Sequence, residues 1–242
     1  GMGFAGMFFG DDNIPTNAWD VLDQWMPATL AFGHSAFLLP QNPSYAYYMT
    51  LAIASRYSQQ NVKTIRYGDA QGKLLTTSEA VVSGEIAHNH IMVEYNGGTR
   101  VIVNGDPDGE WFVLPHDAGT LALPQWGFYC RSGDVVVFSG LKGSNRVDFC
   151  RGGADDGYIF MHGRDQPTTF PGGATDNMLI RLKEPGGTEE VIPDKKTGGF
   201  EIGLPYAAQK IVGLHASTRR EMGEISFAVD EGGWTRFKRR GD

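Results

Sequence analysis

The chain has 242 residues, of which 41% are hydrophobic and 20% are charged, and its formal net charge is −7. This composition excludes a disordered chain and a membrane protein. The negative charge argues against a nucleic-acid groove or an anionic membrane as partner, so we expect neither. The 33 glycines, roughly twice the usual share, predict many turns and therefore many short strands.

The apolar N-terminal run ends in "FFGDDN", which contains Asp11, Asp12 and Asn13. In a (β/α)₈ barrel, polar residues at the carboxyl end of a strand face the active site, and two carboxylates can serve glycoside hydrolysis as acid and base. Adjacent strand residues point to opposite faces, however. The alternative is a loop and helix cap in which Asp12 and Asn13 stabilise a turn.

The stretch "NAWDVLDQWMPATLAF" places Trp19, Leu22 and Trp25 on one helical face. Pro27 is expected to kink or end this helix. Asn13, Trp19 and, in the following "AFGHSAF", His34 are candidates for binding a sugar. The alternatives are a core aromatic for Trp19 and an ordinary loop histidine for His34.

A second helix is predicted from about Ser44 to Gln60, and after residue 61 the pattern turns to strands such as "VKTIRYGD" and "HIMVEY". The pairs Asn96-Gly97 and Asn104-Gly105 predict hairpin turns, because both residue types tolerate positive φ. Turn signals recur every eight to twelve residues or so, which is typical of a sandwich or barrel.

The "HNH" triplet holds His88 and His90 two positions apart. On a strand these side chains would share a face, which suits a metal. No third ligand is apparent in the neighbouring strand segments, so the alternative is a polar strand face. We expect no metal and no cofactor.

The two cysteines, Cys130 and Cys150, end the apolar runs "WGFYC" and "VDFC". These runs are candidates for neighbouring strands. A single disulfide and two buried thiols are both consistent with the sequence. No cysteine or histidine pair has the spacing of a structural zinc site.

The order of motifs resembles a known arrangement. "GMFFGDDN", "LAFGHSAFL" and "YYMTLAIASRY" resemble the end of the barrel in large bacterial glycoside-hydrolase-like proteins. "VEYNGGTRVIVNGDPDGEWFV", "LPQWGFYC" and "GDVVVFSG" resemble the β-sandwich that follows such barrels. The last 70 or so residues resemble the Ig-like modules appended to many carbohydrate-active enzymes.

This resemblance implies a mainly β fold: antiparallel β-sandwiches preceded by a short helical or βα N-terminal segment. The predicted parts are a barrel remnant over 1–61, a β-sandwich over 62–168 and a small Ig-like sandwich over 169–242. A full barrel needs about 200 residues or more. We therefore expect the C-terminal region of a glycosidase whose catalytic barrel is missing from this chain.

Three hypotheses follow, in this order: a non-catalytic, carbohydrate-associated region; a structural or interaction protein without a ligand; and a small glycosidase that uses Asp11 or Asp12. A truncated barrel would expose apolar faces, so we expect self-association through the N-terminal segment. The first nine residues lack the basic region and cleavage site of a signal peptide. The resemblance implies an extracytoplasmic place for the full-length protein.

Overall fold

The computed structural model describes residues 18–34, 43–106, 109, 111–113, 121–154, 157–193 and 201–238. Side chains are described for all of these except residues 18–21, 112, 113 and 185. The chain divides into two compact units, Gly1–Gly157 and Tyr158–Asp242. The division predicted from the sequence, at residues 61 and 168, stays a prediction.

The first unit is built on an antiparallel sheet. Its strands are β1 (Val62–Gly68), β2 (Leu74–Leu75), β3 (His90–Tyr95), β4 (Arg100–Asn104), β5 (Trp111–Val113), β6 (Leu121–Leu123), β7 (Phe128–Ser132), β8 (Val135–Lys142) and β9 (Asn145–Arg151). Neighbouring strands follow the order β9, β8, β7, β4, β3, β1, β2. Strand β6 pairs with one end of β8, and β5 pairs with β6.

One of the two predicted hairpin turns is present. Strands β3 and β4 form an antiparallel hairpin around residues 96–98, where Gly98 has a φ of 81°. The prediction at Asn104-Gly105 was wrong, because β4 pairs with β3 and β7, and β5 pairs with β6. Neither Asn104 nor Gly105 has a positive φ.

In the described part of the first unit there are three α-helices: α1 (Ala18–Ala31), α2 (Pro43–Tyr57) and α3 (Thr77–Ser83). Helix α1 packs against β3 and β4, and α2 packs against β7, β8 and β9. Pro27 lies inside α1 and does not end it. The buried side chains of Leu22, Met26 and Leu30 lie on both sides of Pro27 in sequence, so packing on the sheet stabilises the helix across the proline.

The strand register shows that the two cysteines do not form a disulfide. Cys130 and Cys150 are free and buried. Both lie opposite Val137, Cys130 on β7 and Cys150 on β9. Two strand spacings separate them, about 10 Å, which is too far for a disulfide.

The second unit contains β10 (Tyr158–His162), β11 (Thr168–Phe170), β12 (Gly173–Thr175), β13 (Met178–Lys183), β14 (Glu189–Pro193), β15 (Glu201–Leu204), β16 (Val212–Leu214), β17 (Glu221–Glu224), β18 (Phe227–Val229) and β19 (Thr235–Lys238). Strand β13 pairs with β10 and β14. A five-stranded sheet has the order β11, β12, β15, β19, β18, and β16 pairs with β17. The core includes Phe160, Leu179, Ile202 and Phe237.

The predicted fold class is confirmed: the protein is mainly β, with antiparallel sheets and a short N-terminal helical segment. Among the described residues, no helix is long and apolar enough to cross a membrane.

Candidate functional site

The residues that the sequence singled out are placed as follows. Asp11, Asp12 and Asn13 lie outside the described residues, so their predicted roles stay predictions. Trp19 belongs to helix α1, but its side chain lies outside the described part. His34 follows α1 and is exposed, and its carbonyl oxygen accepts a hydrogen bond of 2.8 Å from the Tyr57 hydroxyl. The structure brings together a different set of polar side chains, around the "HNH" triplet.

The chain reaches this triplet through a short helix and a 3₁₀ turn. Helix α3 begins with a capping box between Thr76 and Glu79 and ends at Gly84, which has a φ of 84°. The 3₁₀ turn Glu85–His88 follows, and Asn89 then adopts the left-handed conformation with a φ of 53°. His88 is therefore not on a strand, and only His90 belongs to β3. Both interpretations of the triplet, a shared strand face for a metal and a polar strand face, were therefore wrong, because His88 lies outside β3 and His90 is buried.

A buried asparagine positions the third member of the site. Asn104 ends β4, and its side-chain nitrogen donates 2.8 Å hydrogen bonds to the carbonyls of Gly109 and Leu123. Its side-chain oxygen accepts a 2.9 Å hydrogen bond from the backbone N–H of Asp106. The N–H of Gly105 donates to the Asn89 carbonyl at 3.0 Å. These bonds fix the backbone of Asp106 beside the histidine turn.

One carboxylate oxygen of Asp106 faces both histidines. Oδ2 lies 2.7 Å from Nδ1 of His88 and 3.8 Å from Nε2 of His90. The first distance is a hydrogen bond and the second is not. The side chain of His88 is 53% exposed, whereas those of Asp106 and His90 are 10% and 7% exposed. The site therefore has one accessible imidazole and two buried members behind it.

The three rings of the site form a stack. His90 lies flat on Trp111, with centroids 4.8 Å apart and planes 2° apart. The His88 ring lies 5.9 Å from that of His90 at an angle of 27°. Trp111 is buried in a cluster with Leu123 and Tyr129. The inner end of the stack is therefore anchored in the core, and its outer end, His88, faces solvent.

Three buried nitrogens of the inner pair make no hydrogen bond of good geometry within the described part of the chain, although the Gly68 backbone lies near enough to His90 to favour its cation. They are Nδ1 and Nε2 of His90 and Nε1 of Trp111. Native proteins contain few such atoms, and strain, a bound water or ion, or a chemical role can account for them.

Burial lowers the pKa of His90 below its ordinary value of 6.5, and the nearby His88 lowers it further. The Asp106 charge, the Gly68 backbone and Glu85 act in the opposite direction but do not outweigh burial. His90 is therefore neutral at neutral pH.

The arrangement has a defined chemistry. An ionised carboxylate can only accept a hydrogen bond, so it places the proton of neutral His88 on Nδ1. Nε2 of His88 is then a free acceptor on an accessible ring. Within the described part of the chain, no three histidine, cysteine, aspartate or glutamate side chains are placed to hold a metal ion.

Sequence reasoning considered the two histidines as a metal pair, did not include them among the expected site residues, and did not identify their partners. It placed them on a strand, whereas the left-handed Asn89 turns the chain between them. It interpreted Asn104-Gly105 as a hairpin turn and so missed Asp106, two residues after Asn104. The available signal was an acidic residue two positions after the strand that pairs with the histidine strand. The Asn104 side chain bonds Asp106 and Gly109 nearby in the chain and Leu123 far from it, and the contact with Leu123 could not be foreseen from the local sequence.

The comparisons with known proteins give no family for this chain. No protein-family model, no curated protein and no solved structure matches it.

Proposed function

We propose that this chain is a carbohydrate-associated, non-catalytic region that binds a hydroxyl-rich ligand at the His88–Asp106 pair. The observation that carries the proposal is the 2.7 Å contact between His88 Nδ1 and Asp106 Oδ2 on a half-exposed ring. It leaves Nε2 free to accept a hydrogen bond from a ligand. The ring face of His88 continues a stack whose inner end is buried.

A sugar suits this surface better than an ion does. Its hydroxyl groups both donate and accept hydrogen bonds, so a single sugar can donate one hydrogen bond to Nε2 of His88 and another to the carboxylate of Asp106. Its apolar C–H face can lie on an aromatic ring. An anion would meet the buried charge of Asp106, which disfavours it.

The proposal includes the finer expectations from the resemblance: a glycoside-hydrolase-like protein with a truncated barrel at its N-terminus and an Ig-like module in the second unit. The motif order carries these expectations. The mainly β fold with an N-terminal helical segment is consistent with them. Hydrolysis by Asp11 and Asp12 is a lesser alternative that depends on residues outside the described part.

A glycan array followed by calorimetry tests the proposal. We expect selective binding by the wild-type chain and a loss of about tenfold or more in affinity for His88→Ala, the scale of one hydrogen bond to a charged pair. His215→Ala is the matched control. It removes another exposed histidine whose Nδ1 contacts Ser217 and Thr218. A blank array, or equal losses in both variants, would contradict the proposal.

A second candidate function is that of an interaction protein, which apolar side chains on the helical segment favour. Phe32 is 73% exposed, and Tyr47 and Leu51 are exposed one turn apart on α2. The occupant we propose is a second copy of the chain, in line with the expected self-association. Light scattering should give a dimer or larger species, and Tyr47→Ser with Leu51→Ser should shift it toward monomer. A monomeric wild-type chain argues against this candidate.

A further inference from the structure

We infer that the indole of Trp126 is a second contact surface for a carbohydrate ligand, beside the His88–Asp106 pair. The inference rests on the function proposed above and adds a residue to its site. Trp126 lies in the turn between β6 and β7, in the sequence "PQWG". Its backbone has a φ of 60°, which is in the left-handed region.

The turn that contains Trp126 favours a different residue at this position. The N–H of Gly127 donates a 2.7 Å hydrogen bond to the carbonyl of Pro124 and closes a β-turn over residues 124–127. Trp126, the third residue, has a positive φ, and Gln125, the second, does not. This is the arrangement of a type II turn, which takes glycine or asparagine at its third position. A bulky side chain there is strained.

Hydrogen bonds from outside the turn hold this strained conformation. The N–H of Trp126 donates to the Asn104 carbonyl at 2.9 Å. Arg146 donates from Nη1 to the Gln125 carbonyl at 3.1 Å and from Nη2 to the Trp126 carbonyl at 3.0 Å. Strained residues persist only where their surroundings hold them in this way, and they cluster at ligand sites. All of these bonds go to backbone atoms, so they do not explain why the side chain is an indole.

The indole of Trp126 is half-buried. No aromatic ring or cationic side chain in the described part of the chain stacks on it. The other tryptophan rings of known surroundings differ in this respect, because His90 stacks on Trp111 and the Arg236 guanidinium lies 5.1 Å from the ring centre of Trp234. An indole without such a partner can bind the apolar C–H face of a sugar ring, and its N–H can donate to a hydroxyl group.

Asn104 joins Trp126 to the histidine site. His90 pairs with Asn104 in the β3–β4 ladder, and the Trp126 N–H bonds Asn104 from the β7 side. Two strand spacings, about 10 Å, therefore separate the backbones of His90 and Trp126. The side chain of Asn104 also bonds the backbone of Asp106. One buried residue thus positions both contacts, and a short oligosaccharide has the length to reach both.

Trp126→Asn in the full chain tests the inference by two measurements that should move in different directions. Calorimetry with a glycan that binds the wild type should show a loss in affinity of about tenfold, the scale of one aromatic contact. The midpoint of chemical denaturation should stay the same or rise, because asparagine tolerates the left-handed conformation. A packing role for the indole would instead lower that midpoint, and such a fall would overturn the inference.

Trp126→Leu is the second variant, because it keeps an apolar side chain and the strained backbone but has no ring. It should lose affinity as Trp126→Asn does. Trp234→Leu is the matched control: it removes another half-buried tryptophan, whose ring already has a cation on it, and should leave the affinity unchanged.

The same titrations separate this inference from the function proposed above. Full affinity in both Trp126 variants, with a loss in His88→Ala, would overturn the role of Trp126 and leave the His88–Asp106 site standing. A loss in both Trp126 variants, with none in His88→Ala, would support Trp126 and refute His88 as the ligand contact. A glycan array that stays blank for the wild type would overturn both.

Discussion

Trp111 lies directly against the backbone of Gly68: a Cβ built on that glycine would be 2.2 Å from Cζ2 of the indole. This contact joins β1 to β5, two strands that do not pair with each other. The contact also fixes the position of the Trp111 indole, against which the His90 ring stacks. Gly68 is not needed for a turn; its lack of a side chain leaves room for the indole on which the candidate site is built.

Gly68→Ala should therefore destabilise the protein by about 1–3 kcal/mol, the usual cost of overpacking a buried position. The rigid, buried indole must shift, and His90 must shift with it. Chemical denaturation measures the loss, and the near-ultraviolet circular dichroism of the tryptophans should change. Gly97→Ala is the control, because the atoms nearest to its Cβ would be those of the exposed, flexible Gln60 side chain, at 3.1 Å or more. Equal stability of the two variants would show that Trp111 can move freely.

Asn104→Ala should destabilise the protein by about 3 kcal/mol, because the backbone groups that bond the Asn104 amide would be left buried without a hydrogen bond. The carbonyls of Gly109 and Leu123 and the N–H of Asp106 all lose their hydrogen bonds. The variant should also lose the Nδ1–H tautomer of neutral His88, which nitrogen-15 NMR of the imidazole side chains detects, since Asp106 is no longer held beside that ring. Asn145→Ala, at an exposed position of β9, should change neither property. A stable Asn104→Ala protein that keeps the His88 signature would refute the positioning role.

His90 should make stability fall in mild acid. Its pKa is lowered in the folded state, so the unfolded chain takes up the proton first as the pH falls below about 6.5. The free energy of unfolding should be independent of His90 above that pH and should decrease below it, until the folded state is protonated too. Denaturation midpoints at several pH values should show a shallower acid loss for His90→Phe than for the wild type. The same pH dependence of stability in both proteins would contradict the conclusion that burial lowers the pKa of His90.

The elements were predictable where local chemistry decides them. The β3–β4 hairpin follows from Asn96-Gly97 between β-branched runs, and Pro43 stands at the first position of α2 as proline often does. The prediction at Pro27 was wrong because it considered only the local cost of a proline to the helix. The buried face of α1, which includes Leu22 and Leu30, extends past Pro27 on both sides. Propensity alone does not include that packing.

The site was only half predictable for the same reason. The two histidines stand two positions apart and are visible as a pair in the sequence, but strand pairing supplies their partners: Asp106 follows β4, and Trp111 begins β5. The pairing of β4 with β7, and of β5 with β6, joins segments that no turn signal connects. No local pattern indicates that Asn104 is buried or that Gly68 must lack a side chain.

The thiols of Cys130 and Cys150 should be unreactive in the folded protein and should not form a bridge. Both are buried, and burial raises the pKa of the Cys130 thiol far above its usual range, so little thiolate is present to react. Val137 of β8 lies between them, opposite both. A thiol-specific reagent should therefore label neither cysteine in native buffer and both in denaturant, and a reductant should leave the melting temperature unchanged. Mild oxidation of the native protein should cause no loss of mass; a loss of two hydrogens without unfolding would show that β7 and β9 approach more closely than this register allows.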